Sequence, residues 1–188
     1  MEKIGINKGK KLGEGAERTV YEDLNNPDHV IGIFHEKKEE ELKTKARFYL
    51  TKILHILLPD NIRDIHASYS DPNVTINSKV KQNSWKFWKK INYDPETLKE
   101  IRLFVNKLEE DLGVGVDSYY KNVMRDDNGN LVYVDSINPW GKTYMANFSP
   151  HKLKESIEKL DEYKKKKGLE YLERLISLAN ESGVKVLE

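Results

Sequence analysis

Cysteine is absent from this chain of 188 residues, which excludes disulfides and thiolate metal sites. A bias of charge is missing as well. Lys and Arg together number 32 against 31 Asp and Glu, a formal net of +1, so nothing in the balance favours nucleic acid as the main partner. Long apolar runs are lacking too. Runs such as Ile56-Leu-Leu-Pro fall far short of the roughly 20 residues a membrane helix needs, and the Met1-Glu-Lys-Ile start has no apolar stretch of the kind a secretory leader carries. We therefore expect a soluble, cytoplasmic protein without a membrane partner. His29, His35, His55, His66 and His151 show no metal-ligand spacing, and neither repeats nor low-complexity tracts occur.

What is present is a length sufficient for one compact unit and a clear succession of patterns. Residues Lys10 to Phe34 read as three strands joined by two turns: a stretch through Leu12-Gly-Glu-Gly-Ala, then Arg18-Thr-Val-Tyr, then His29-Val-Ile-Gly-Ile-Phe after Asn25-Asn-Pro-Asp. Helical spacing follows over residues 37–58, with Leu42, Ala46, Tyr49, Leu50, Ile53, Leu54 and Leu57 on one side and Pro59 as the stop. A strand pair around Asp71-Pro-Asn comes next, then the aromatic segment Gln82 to Lys90, whose Trp85, Phe87 and Trp88 suit packing of a connection more than stacking on a ligand. Asp94 and Pro95 open a second helix that closes near Gly113. Ser149 and Pro150 open a third, with Gly168 dividing it from a fourth stripe beginning at Leu169; the basic run Lys164 to Lys167 reads as a solvated helix end whose cations suit the local dipole.

Between the second and third helices lie Asp117, Asn122 and Asp135, at offsets 0, +5 and +18 across a stretch that reads as a hairpin. Asn128-Gly129 carries the signature of a two-residue type I′ turn. Two carboxylates and an amide at one hairpin's base suit metal-assisted phosphoryl transfer, with one Asp orienting a hydroxyl while Asn and the second Asp hold Mg²⁺ on the phosphates; a surface hairpin with ordinary polar ends is the plainer alternative. Gly13-Glu-Gly15 lies between two strands. That placement fits a glycine hairpin laid over phosphates better than a Rossmann turn, which needs a helix next.

Taken in order, the glycine hairpin, third strand, long helix, two strands, helix, Asp-x4-Asn and later Asp resemble the protein-kinase-like family, which includes small-molecule phosphotransferases. The resemblance covers residues 10–140. It implies an α+β, two-lobed fold, with an N-lobe over residues 1–82 made of a sheet and one long helix, and a small, mostly helical C-lobe over 83–188. It implies ATP and Mg²⁺ as ligands and γ-phosphate transfer to a hydroxyl acceptor. By residue, Gly13 and Gly15 match the nucleotide loop, Val20 and Ile31 the apolar residues above the adenine, Met124 the one below it, and Lys79 to Gln82 the hinge that reads the base edge. Asp117 matches the catalytic-loop Asp, Asn122 the metal-binding Asn, and Asp135 the second metal-binding Asp.

The departures carry weight as well. Where the family has a lysine on the third strand, this chain has Gly32, and the third glycine of the loop is Arg18. The with-no-lysine kinases, which this loop resembles, raise a cation from the second strand instead, so Arg18 is the candidate for the phosphate-facing charge. Its glutamate partner would come from Glu39, Glu40 or Glu41. Asp135 is followed by Ser136-Ile137 rather than Phe-Gly, and 53 residues remain after it, too few to cradle a protein substrate. The expected acceptor is therefore a small molecule. The alternative is a pseudokinase, which binds nucleotide or a partner protein without transferring phosphate.

Overall fold

A computed structural model of the chain describes residues 6–15, 18–35, 41–67, 74–79, 95–117, 122–135, 137–140 and 145–186. Its elements run β1 (Lys8–Glu14), β2 (Arg18–Asp23), β3 (His29–Phe34), α1 (Glu41–Leu57), β4 (Ile65–Ala67), β5 (Val74–Ser78), α2 (Pro95–Leu112), β6 (Val123–Arg125), β7 (Leu131–Tyr133), α3 (Pro150–Glu158) and α4 (Glu162–Glu181). The fold is α+β. One antiparallel sheet has the order β1-β2-β3-β5-β4, and β6 pairs with β7 as a separate hairpin. Among the described residues no helix is long and apolar enough to cross a membrane.

Strand alternation gives the sheet two unlike faces. Val20 is paired with Gly32 and Gly32 with Thr75, so these share one face; Tyr21, Ile31 and Ile76 are paired in the same way on the other. The second face carries its own small cluster of Ile31, Val74 and Ile76, flanked by Tyr21 and Ile33. The main core lies elsewhere. Ala46, Leu50, Ile53 and Leu54 of α1 pack with Ile101, Val105 and Leu108 of α2, Leu153 and Ile157 of α3, Leu172 and Leu175 of α4, and Val123 and Tyr133 of the hairpin. Although α1 follows the sheet in the chain, its apolar stripe is therefore buried among the C-terminal helices, and Tyr49 meets Tyr171 with ring centroids 5.9 Å apart.

The local boundary signals hold where they act through adjacent backbone. Pro95 is the first residue of α2, and Gly113 at φ 63° ends it; the expected cap Asp94 lies outside the described residues. Ser149 caps α3 by accepting the Lys152 N–H.

Gly168 is a correction. The helix break falls at Lys159 to Asp161, where Asp161 caps α4 by accepting the Lys164 N–H at 3.0 Å, and Gly168 sits inside α4. A Cβ at Gly168 would stand 2.9 Å from Cγ2 of the fully buried Ile157, so the glycine permits close approach of α3 and α4 instead of dividing them. Lys164 to Lys167 consequently lie near the positive end of α4, opposite to the favourable dipole arrangement expected. Carboxylates hold them there: Lys164 faces Asp161, Lys165 faces Glu162 and Lys167 faces Glu170 at 3.5–4.0 Å.

This packing sets a stability prediction. Gly168→Ala gains up to about 1 kcal/mol of helix propensity but loses about 1–3 kcal/mol to overpacking, a net destabilisation. In an Ile157→Ala background, where the opposing methyl is gone, the same change is expected to become neutral or stabilising. Urea unfolding of the four proteins measures the reversal of sign, and equal effects in both backgrounds would refute the contact.

Candidate functional site

The hairpin that carries the acidic residues is tied to the chain end of α1. Tyr133 N–H donates to the Asn61 carbonyl at 2.8 Å, and the Asn61 amide donates to the Leu131 carbonyl at 2.8 Å. Its turn differs from the type I′ expectation. The Gly129 N–H donates to the Asp126 carbonyl, so the turn is centred on Asp127-Asn128, with Gly129 at φ 87° completing a three-residue loop. The reason is the Asp126 carboxylate, which accepts the N–H groups of Asn128 at 2.9 Å and Asn130 at 2.7 Å and so fixes a wider loop.

At the hairpin's base, Asp117 and Asp135 line one open cleft of about 280 Å³, together with Gly115, Val116, Tyr133, Ile137, Asn138 and Asn147. Asn122, just before β6, is tied to the backbone beside the cleft. Its carbonyl accepts the Val134 N–H at 2.8 Å, and its amide donates to the Asp117 carbonyl at 3.4 Å. Tyr133 donates its hydroxyl to that carbonyl at 3.3 Å. Two side chains thus fix the backbone of Asp117 while leaving its carboxylate exposed. Burial, then the neighbouring Asp135 and Asp117 charges, push the Tyr133 phenol well above its ordinary pKa, so it stays a neutral donor. The donor chemistry suits magnesium, which takes oxygen ligands, keeps several waters and needs only one or two carboxylates beside substrate phosphates. Asp135, with the Asn122 amide oxygen, could supply that set.

Arg18 enters from the sheet. From β2 it crosses the face above Gly32 and donates to the Val134 carbonyl at 2.8 Å, its guanidinium 3.4 Å from the Asp135 carboxylate. A Cβ at Gly32 would stand too close to Thr75 Oγ1, at 2.9 Å, and in ordinary contact with Arg18, 3.6 Å from its Cδ and 3.7 Å from its Nη1. A side chain on β3 extending beyond Cβ at residue 32 would therefore meet Arg18.

Gly13 pairs with Val20 at the β1–β2 end, where a Cβ would meet nothing within 4 Å, and Gly15 N–H donates to the Arg18 carbonyl at 2.9 Å. Val20 and Ile31 do not share a face. Ile31 is fully buried in the small outer cluster, whereas Val30, two residues before Gly32, alternates onto the Val20 side. The residue that belongs beside Val20 is thus Val30, and the Ile31 assignment is corrected by strand register. Met124 pairs with Val132 and is half-buried, lining neither the cleft nor the cavity behind it. Of the expected hinge, Lys79 has its N–H engaged by the Asp28 carbonyl at 2.7 Å, and residues 80–82 lie outside the described residues, as do Trp85, Phe87 and Trp88.

The glutamate expected on α1 is likewise corrected for Glu41, which is exposed and pairs with Lys45 at 2.6 Å; Glu39 and Glu40 lie outside the described residues. A buried cation also lies on α1. Arg47 of α1 is 3% exposed, lies 4.3 Å from the centre of the Phe34 ring and donates to the Asn138 Oδ1 at 2.7 Å. Arg47 falls on the helical face of Leu50 and Leu54, a pattern that would have marked it in the sequence. Arg63, the other residue sequence reasoning missed, had no periodic signal. It lines a small cavity behind Asp135 with Arg18, Arg47 and Thr75. No protein-family model matches the chain, and a search of curated proteins returns no match.

Proposed function

We propose that this chain is a small protein-kinase-like phosphotransferase, with a sheet lobe and a helical lobe, that binds ATP with Mg²⁺ and transfers the γ-phosphate to a hydroxyl on a small acceptor. One observation carries the reading. Asp117 and Asp135, 18 positions apart, border a single cleft, and a cation from β2 reaches Asp135 across Gly32. In this reading the Asp117 carboxylate orients the acceptor hydroxyl and takes its proton. Asp135 and Asn122 would hold the magnesium, which when bound neutralises charge on the phosphates. Gly13 and Gly15 lie over the phosphates, Arg18 faces them, and Val20 with Val30 covers the base.

A second reading, a nucleotide-binding pseudokinase, draws support from Gly32, which puts no cation at that position of β3. Both readings require nucleotide binding. Mg·ATP at about 100 times its Kd is expected to stabilise the protein by about 2.7 kcal/mol, a rise of about 5–10 °C in Tm. Release of ADP in the presence of a sugar, polyol or amino-alcohol panel separates the two readings. An unchanged Tm with ATP would refute both.

A further inference from the structure

We propose that the acceptor this site takes is a neutral polyol, gripped through a hydroxyl beside the reacting one by the side-chain amides of Asn138 and Asn147. The inference rests on the phosphotransfer reading above and narrows its acceptor. Both residues are half-buried and line the cleft that Asp117 and Asp135 border.

The Asn138 amide is oriented from behind. Arg47 of α1, 3% exposed, donates to its Oδ1 at 2.7 Å, and because a guanidinium can only donate, the oxygen must face Arg47 and the NH₂ group must face away. That NH₂ group has no partner among the described residues, and it is not sealed from solvent. Asn147 is fixed through its backbone: its carbonyl accepts the Gly115 N–H at 2.8 Å and its N–H donates to the Pro139 carbonyl at 2.8 Å. Its side-chain NH₂ reaches the Asn138 carbonyl at 3.4 Å, which leaves its Oδ1 as an acceptor, likewise open and without a partner among the described residues. Two neighbouring asparagines, each tied to the protein at its other end, thus offer one donor and one acceptor.

That pairing matches a hydroxyl, which accepts through its oxygen and donates its proton. With the reacting hydroxyl at Asp117, a second hydroxyl on the acceptor can engage both asparagines at once. An ammonium only donates, so it would leave the Asn138 NH₂ facing another donor. A carboxylate or phosphate only accepts, so it would set an acceptor against Asn147 Oδ1 and meet the Asp117 charge besides. Polar recognition of this kind rejects a mismatched group more strongly than an apolar pocket can.

The test uses the full chain with Mg·ATP, following ADP release with ribitol, myo-inositol, ethanolamine and glycolate, and reading Tm alongside. At least one of the two polyols is expected to be turned over with a kcat/KM about tenfold or more above those of ethanolamine and glycolate. Asn138→Asp keeps an oxygen on Arg47 and exchanges the NH₂ group for a second acceptor. It is expected to raise the polyol KM about tenfold or more and to shift selectivity toward ethanolamine, with Mg·ATP affinity retained. Asn138→Ala, expected to give the polyol loss without the gain for ethanolamine, serves should the Asp variant fail to fold. A purely structural asparagine would lower Tm and slow every acceptor alike, which overturns the inference. Preference for ethanolamine or glycolate over both polyols, or ADP release with none of the four while Mg·ATP still raises Tm, also overturns it and leaves nucleotide binding standing. An unchanged Tm with Mg·ATP overturns both.

Discussion

Asp117→Asn is expected to lower phosphate transfer about 10²–10⁴-fold at saturating ATP, with nucleotide affinity and Tm nearly unchanged. The substitution is nearly isosteric, and the groups that fix residue 117 act on its backbone: the Asn122 amide and the Tyr133 hydroxyl both donate to its carbonyl. The side chain itself is exposed at the cleft, so amidation removes a proton acceptor while keeping the side chain's shape. Asp135→Asn should behave differently, weakening Mg·ATP binding as well as turnover, because Asp135 faces Arg18 and, in the proposed reading, would hold the metal. Coupled-enzyme rates and thermal shifts on both variants separate these roles. Unchanged turnover in Asp117→Asn would remove Asp117 from the chemistry.

How far the sequence was legible follows the range of each signal. Pro95, Gly113, Ser149 and Pro150 act on backbone groups within one turn of themselves, and the helix ends they predict are where the structure has them. Gly168 has the same local signature as a helix breaker, yet its reason is Ile157 on another helix, which no local pattern encodes. The hairpin was legible in outline, but its loop width depends on the Asp126 carboxylate capturing two backbone N–H groups in preference to a tight turn. Ile31 was a failure of register that the sequence could have prevented: with Gly32 facing Val20, alternation assigns Val30 to that face and Ile31 to the other. At the candidate site, the Asp117 and Asp135 spacing and the Arg18 substitution were readable because they lie in ordered motifs. Arg63 was not, since the cavity it lines forms where α1, β5 and β7 converge from distant parts of the chain.

Arg18→Met should lower phosphate transfer by about 10²–10³-fold, the range expected when one preorganised donor to a developing charge is lost. Arg18 is also a bridge between β2 and Val134, so some destabilisation will accompany the loss, and a rate effect alone would not identify its role. The geometry at Gly32 supplies the control. A side chain at residue 32 would enter the space Arg18 now fills, and its remaining obstacle is Thr75 Oγ1 at 2.9 Å from the new Cβ. Combining Arg18→Met with Gly32→Lys and Thr75→Ala therefore clears the path and raises a cation from β3 toward Asp135, in the position the resemblance leads one to expect. If Arg18 serves as the phosphate-facing charge, this triple variant recovers about tenfold or more of the activity lost in Arg18→Met. If Arg18 only fastens β2 to Val134, a lysine from β3 restores no turnover even when the Tm of the triple variant equals that of the parent. Gly32→Lys alone, with Arg18 and Thr75 both in place, is overpacked and should lower Tm by several degrees, at about 1–3 kcal/mol of strain.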